Sequence, residues 1–133
     1  MNDTQEALLT AALDYVERGM ALTWFKYGQK FPVHKDWNTP AKVITTPDAA
    51  RARWGNGQLW NIGLVHGLSP IKTCSLDVDQ VDLACALLAE FGIDLNAWRV
   101  GVPCVQGNPA NFRLEYRQPA GLDLPLVSLK WPD

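Results

Sequence analysis

Histidine and cysteine are scarce in this chain of 133 residues, with two of the first and three of the second. Cys74, Cys85 and Cys104 lie far apart, with no CxxC pair and no histidine at ligand spacing. That pattern argues against a zinc site or a disulfide framework and points to a reducing cytosol. His34 and His66 lack a partner at metal spacing and lie near no Gly-x-Ser-x-Gly or motif cysteine. They read as an ordinary loop histidine and an ordinary strand-end histidine. No GxxxxGK[ST] occurs, which excludes a P-loop motor from this stretch. Long apolar runs are missing too, and the N-terminus has no basic start leading into one, so the expectation is a soluble cytoplasmic protein with no membrane span or export signal. Net charge is also small, at −2. A chain so close to neutral cannot hold nucleic acid by bulk attraction and would need a local cluster of Lys and Arg.

What is present is ordinary globular composition, 47% hydrophobic and 20% charged, with no low-complexity signature. The length predicts a single domain over residues 1–133. Six tryptophans are many for such a chain; most suit the core, and a few exposed ones could stack on bases. Asp3 and Glu6 have the spacing of a capping box ahead of Leu8, Ala11, Ala12, Tyr15 and Val16, predicting a helix over residues 4–18 closed by Gly19. A strand follows over 20–25, then a turn-rich, lysine-bearing loop. Thr46, Pro47 and Asp48 form a helix start, with the end near Trp54 and Gly55. Residues 61–66 and 71–78 read as two strands of a hairpin joined by GLSP. Residues 81–91 read as a largely buried helix capped by Gly92. Three more strands are expected over 98–105, 112–117 and 126–131. The fold class is therefore α+β, with helices packed on a mixed, largely antiparallel sheet.

The apolar run after residue 71 ends in LDVD, residues 76–79. On a strand, side chains alternate between faces, so Asp77 and Asp79 project together while Val78 turns into the core. Two carboxylates that close repel each other unless a cation lies between them. Mg²⁺ or Mn²⁺ suits such a pair, because hard cations take carboxylate oxygens together with water and phosphate oxygens. The blander explanation makes Asp79 the N-cap of a helix starting near Gln80. It leaves Asp77 unexplained.

The order of features around the dyad is specific. Tyr15, Arg18 and Gly19 are followed by Gly28, Lys30 and Pro32, then Trp37, Trp54, NIGL at residues 61–64 with Gly67, and LDVD. Over residues 10–80 this resembles the N-terminal part of the bifunctional primase/polymerase domain of the archaeo-eukaryotic primase superfamily, common in phages and plasmids. The resemblance implies that Asp77 and Asp79 are catalytic metal ligands. A second family motif, usually ending in His, corresponds to VQGNPANFRLEYR, where the His is absent. Asn111, Arg113 and Arg117 alternate there along one strand face. The resemblance then makes Arg113 the residue that meets the nucleotide phosphates, for which a guanidinium fork is suited. Asn111 is a weaker candidate for nucleotide binding. Without the resemblance, a strand edge carrying solvated cations would be the preferred explanation. Lys30 lies in a loop that the family sets near nucleotide or template, which implies a phosphate contact; a solvated loop lysine is the plain alternative, as for Lys35.

The third family motif is another Asp or Glu on a later strand. Here the last residue is Asp133, after a WP turn, so the expectation is a truncated domain or a short relative without its third carboxylate. The function implied by the resemblance is a nucleotidyltransferase that makes or extends a nucleic-acid strand on a DNA template from nucleoside triphosphates, with a helicase region in a parent chain as a further candidate partner. The alternatives are a catalytically incomplete module that binds nucleotide or single-stranded DNA, and a structural fragment with an uncovered sheet edge.

Overall fold

The computed structural model describes residues 1–32 and 34–122. The strand expected at 126–131 and the terminal Asp133 lie outside them. The chain divides into two compact units, residues 1–73 and 74–133, each with its own apolar cluster.

In the first unit, α1 (Asp3–Glu17) begins with a capping box one residue earlier than the sequence pattern suggests. The Asn2 side chain accepts from the Gln5 N–H, and the Gln5 side chain accepts from the Asn2 N–H, each at 2.9 Å. Asn is at least as good a cap as Asp, so the competition between adjacent residues was close. Gly19, with φ +84°, closes the helix. The Met20 N–H reaches back to the Tyr15 carbonyl and the Gly19 N–H to that of Val16, both at 3.0 Å, which is a Schellman ending. Strand β1 (Leu22–Lys26) pairs antiparallel with β2 (Trp60–Leu64), and Ile44 bridges Leu22 on β1. Between them, α2 (Pro47–Trp54) starts as expected, with Thr46 as N-cap and proline in the first turn. Ala12, Val16, Leu22, Ile44, Ala50 and Trp54 form the core. Trp54 is 1% exposed, and truncating an aromatic so placed costs about 3–5 kcal/mol.

The second unit holds β3, which starts at its border (Thr73–Val78), α3 (Val81–Ala89), the two-residue β4 (Cys104–Val105) and β5 (Phe112–Arg117). The strand order is β3-β5-β4, with β4 and β5 antiparallel. Val78, Leu95, Phe112 and Leu114 form its buried cluster. The α+β class with antiparallel pairing is as expected.

Three local expectations fail. The hairpin of residues 61–66 with 71–78 does not form, because β2 pairs with β1 and β3 with β5. The turn signal at GLSP is used differently: Ser69 is buried, accepts from the Ala21 N–H at 3.0 Å and donates to the Val65 carbonyl at 3.1 Å. The Ile71 N–H then bonds to the Gly19 carbonyl at 3.0 Å. The chain is thereby tied across the end of α1 instead of reversing. Residues 98–105 hold only β4 as strand; Asn96–Arg99 form a 3₁₀ turn, capped by the Asp94 carboxylate accepting from the Asn96 and Ala97 N–H groups. Gly101, at φ +78°, and Pro103 separate the two. Finally, α3 has no buried residue, and Leu83 on it and Phe91 beyond it are exposed.

Candidate functional site

Burial along β3 follows the pleat toward its end: Leu76 and Val78 pack into the cluster while Asp77 and Asp79 are exposed. Asp77 lies on β3 and Asp79 one residue past its end, both exposed on either side of the buried Val78. Asp79 is not the helix cap. That position belongs to Gln80, in the left-handed region at φ 54° and ψ 66°, with no side-chain capping bond. The turn is secured from β5 instead. Asn111 Oδ1 accepts the Gln80 N–H at 3.3 Å, and the Ala110 carbonyl accepts the Val81 N–H at 2.8 Å. Asn111 is therefore engaged in fixing the path of the chain immediately after the dyad.

Arg113, on β5 beside β3, meets Asp77 with both ends of its fork. Its Nε donates to Oδ1 at 2.5 Å and its NH2 to Oδ2 at 2.9 Å. This bond raises the guanidinium pKa above its ordinary value; burial opposes the shift, and the Asp77 and Glu115 charges reinforce it. About half of each side chain remains exposed, so the pair contributes at most about 1 kcal/mol to stability. The functional weight of the contact lies in geometry: a β5 guanidinium is laid on a β3 carboxylate.

Two further residues were not singled out in the sequence. Glu115 is two positions along β5 from Arg113, and the same period of two would have put it on that face. Burial raises its pKa first of all, with Asp77 adding to the rise and Arg113 opposing it. Arg99 braces the turn before β5: its NH2 donates to Gln106 Oε1 at 3.1 Å, and its guanidinium carbon lies 4.3 Å from the Phe112 ring centroid. Gln106 in turn donates to the Pro109 carbonyl at 3.2 Å. No sequence spacing announces that chain of contacts.

Among the described residues no group of three or more His, Cys, Asp or Glu is assembled to hold a metal. Two exposed carboxylates, one on β3 and one just past its end, do fit a hard cation that takes its other oxygens from water and phosphates. They do not make a closed protein cage. Lys30 belongs to the first unit, exposed in the loop after β1.

The family model described as bifunctional DNA primase/polymerase, N-terminal, matches residues 12–131. The chain belongs to this family. A search of curated proteins and a search of solved structures each returned no match. The primase/polymerase match continues past the dyad through β5. Several of the motif residues that carry the resemblance have structural work in the first unit. Trp54 fills the core, and Gly19 ends α1. Asn61 donates from Nδ2 to the Lys26 and Gln29 carbonyls at 3.4 and 3.2 Å, pinning the loop that carries Gly28 and Lys30. Gly63 lies so close to β1 that an added Cβ would stand 2.9 Å from Thr23 Cγ2. Among the described residues, no helix is long and apolar enough to cross a membrane.

Proposed function

We propose that this primase/polymerase-family chain handles nucleoside triphosphates for nucleic-acid strand synthesis, with Asp77 and Asp79 as ligands of Mg²⁺ or Mn²⁺ and Arg113 as the phosphate contact. The observation that supports this best is the meeting of Asp77 and Arg113 from adjacent strands within the matched segment. A divalent cation bound there would neutralise triphosphate charge and assist attack by a 3′-hydroxyl. Val78, buried in the cluster, anchors the strand end that presents the two carboxylates. Asn111 fixes the turn beyond them, so Asp79 is presented from a held backbone. The Arg113 fork matches two phosphate oxygens as well as it matches a carboxylate.

Nucleic acid as a partner draws support from the loop after β1. Lys30, Lys35 and Lys42 are exposed there, with Lys26 exposed at the end of β1, against a single acidic residue, Asp36. That is the local basic cluster a nearly neutral chain requires. A phosphate contact from Lys30 and a DNA template along this loop are parts of the proposal.

The test is calorimetric titration of dATP with Mn²⁺ into the wild type, Asp77→Asn and Asp79→Asn. Each substitution is expected to weaken binding by about tenfold or more, since even outer ligand partners are worth that much. Equal affinity in all three would sink the proposal.

A further inference from the structure

The Asp77 carboxylate is paired within the protein itself. Both of its oxygens accept from Arg113, at 2.5 and 2.9 Å. Asp79 has no such contact among the described residues, so the two carboxylates of the dyad are unequal. We propose that Arg113 is the resident cation of Asp77 and must leave before a divalent metal can occupy the dyad, so that the favoured ligand is a metal-complexed triphosphate and not the free metal.

The inference rests on the function proposed above and adds an order of assembly to it. A guanidinium and a divalent cation on one carboxylate lie within a few ångströms and repel each other strongly where solvent screening is incomplete. Metal alone therefore has to displace Arg113 and exchange its bidentate carboxylate partner for water. A triphosphate removes that obstacle, because its oxygens offer the same fork a second bidentate partner of higher charge. Exchange is feasible because the pair is half-exposed and weak. A buried pair would resist it. Arg113 remains on the sheet throughout, turning from a carboxylate on the adjacent strand to a phosphate.

The experiment is titration of Mn²⁺ alone, followed by the electron paramagnetic resonance signal of the free ion, with far-UV circular dichroism confirming the fold of each variant. Arg113→Gln is expected to bind Mn²⁺ about twofold to fivefold more tightly than the wild type, the worth of a half-exposed ion pair expressed as an affinity ratio. Arg117→Gln removes an exposed cation from the same strand without touching Asp77, and should leave affinity unchanged. Equal or weaker binding by Arg113→Gln, or an equal gain in Arg117→Gln, would overturn the exchange. Asp77→Asn separates the two levels. If it binds Mn²⁺ as well as the wild type, the metal dyad itself fails; if it loses binding while Arg113→Gln gains nothing, only the exchange fails.

Discussion

His34 lies flat against Trp24, with ring centroids 4.1 Å apart and an interplanar angle of 11°. The Arg53 guanidinium carbon is 4.0 Å from the same indole centroid. Two groups that close to one ring cannot share a face, so the indole is sandwiched between imidazole and guanidinium. Burial, then the charges of Lys42 and Arg53, lowers the His34 pKa below 6.5. Its Nε2 is shut off from solvent with no hydrogen-bond partner, so a proton there would have no acceptor. Because the folded pKa is depressed and the group is a base, folding is unpenalised above the unfolded value and loses stability as pH falls from about 6.5 toward the folded value. Thermal melts between pH 7.5 and 5 should show Tm falling with acidity, and His34→Phe, which keeps the stack, should flatten that slope. An unaltered slope in the variant would assign the acid sensitivity elsewhere. None of this was legible at His34 itself, because its partners come from β1 and α2. The exposure of Asp77 and Asp79 on either side of buried Val78 was legible, since alternation toward a strand end is a local rule. Asn111 was not, because its acceptor role depends on a backbone N–H contributed by residue 80.

At the scale of elements, the junction of β3 with α3 concentrates the strain. Gln80 takes a left-handed conformation that costs a residue with a Cβ about 1–2 kcal/mol, partly offset in glycine by its greater freedom when unfolded. Gln80→Gly should therefore raise stability by about 0.5–1 kcal/mol, whereas Asn111→Ala, which removes the acceptor of the Gln80 N–H, should lower it by about 1 kcal/mol. Denaturant titration of both variants measures the pair, and a loss of stability in Gln80→Gly would contradict the left-handed assignment. Elements with strong end signals were legible: Thr46, Pro47 and Gly55 bound α2, and glycines at 19 and 92 follow α1 and α3. Partners were less so. The GLSP turn signal is real, yet its local form does not reveal that Ser69 bonds to residue 21 or that Ile71 bonds to Gly19. Such contacts join distant segments, and no window along the chain contains both partners.

For the whole molecule, the resemblance implies a third carboxylate on a strand later than β5, and the one candidate named in the sequence, Asp133, lies outside the described residues. Reacting groups misplaced by about 1 Å lose on the order of a hundredfold in rate. Primer extension with Mn²⁺ and with Mg²⁺ should accordingly be sensitive to the placement of Asp77, and is expected to be lost in Asp77→Asn. Synthesis that persists unchanged in Asp77→Asn would remove Asp77 from the site. The two compact units also invite separate observation, and the first contains its own reporter. Indole emission responds to the groups packed on its faces, and Trp24 has an imidazole on one face and a guanidinium on the other. Any event that lifts the His34 segment from β1 therefore changes the fluorescence of this protein, so the lysine-bearing loop carries an optical signal of its own docking without an added label.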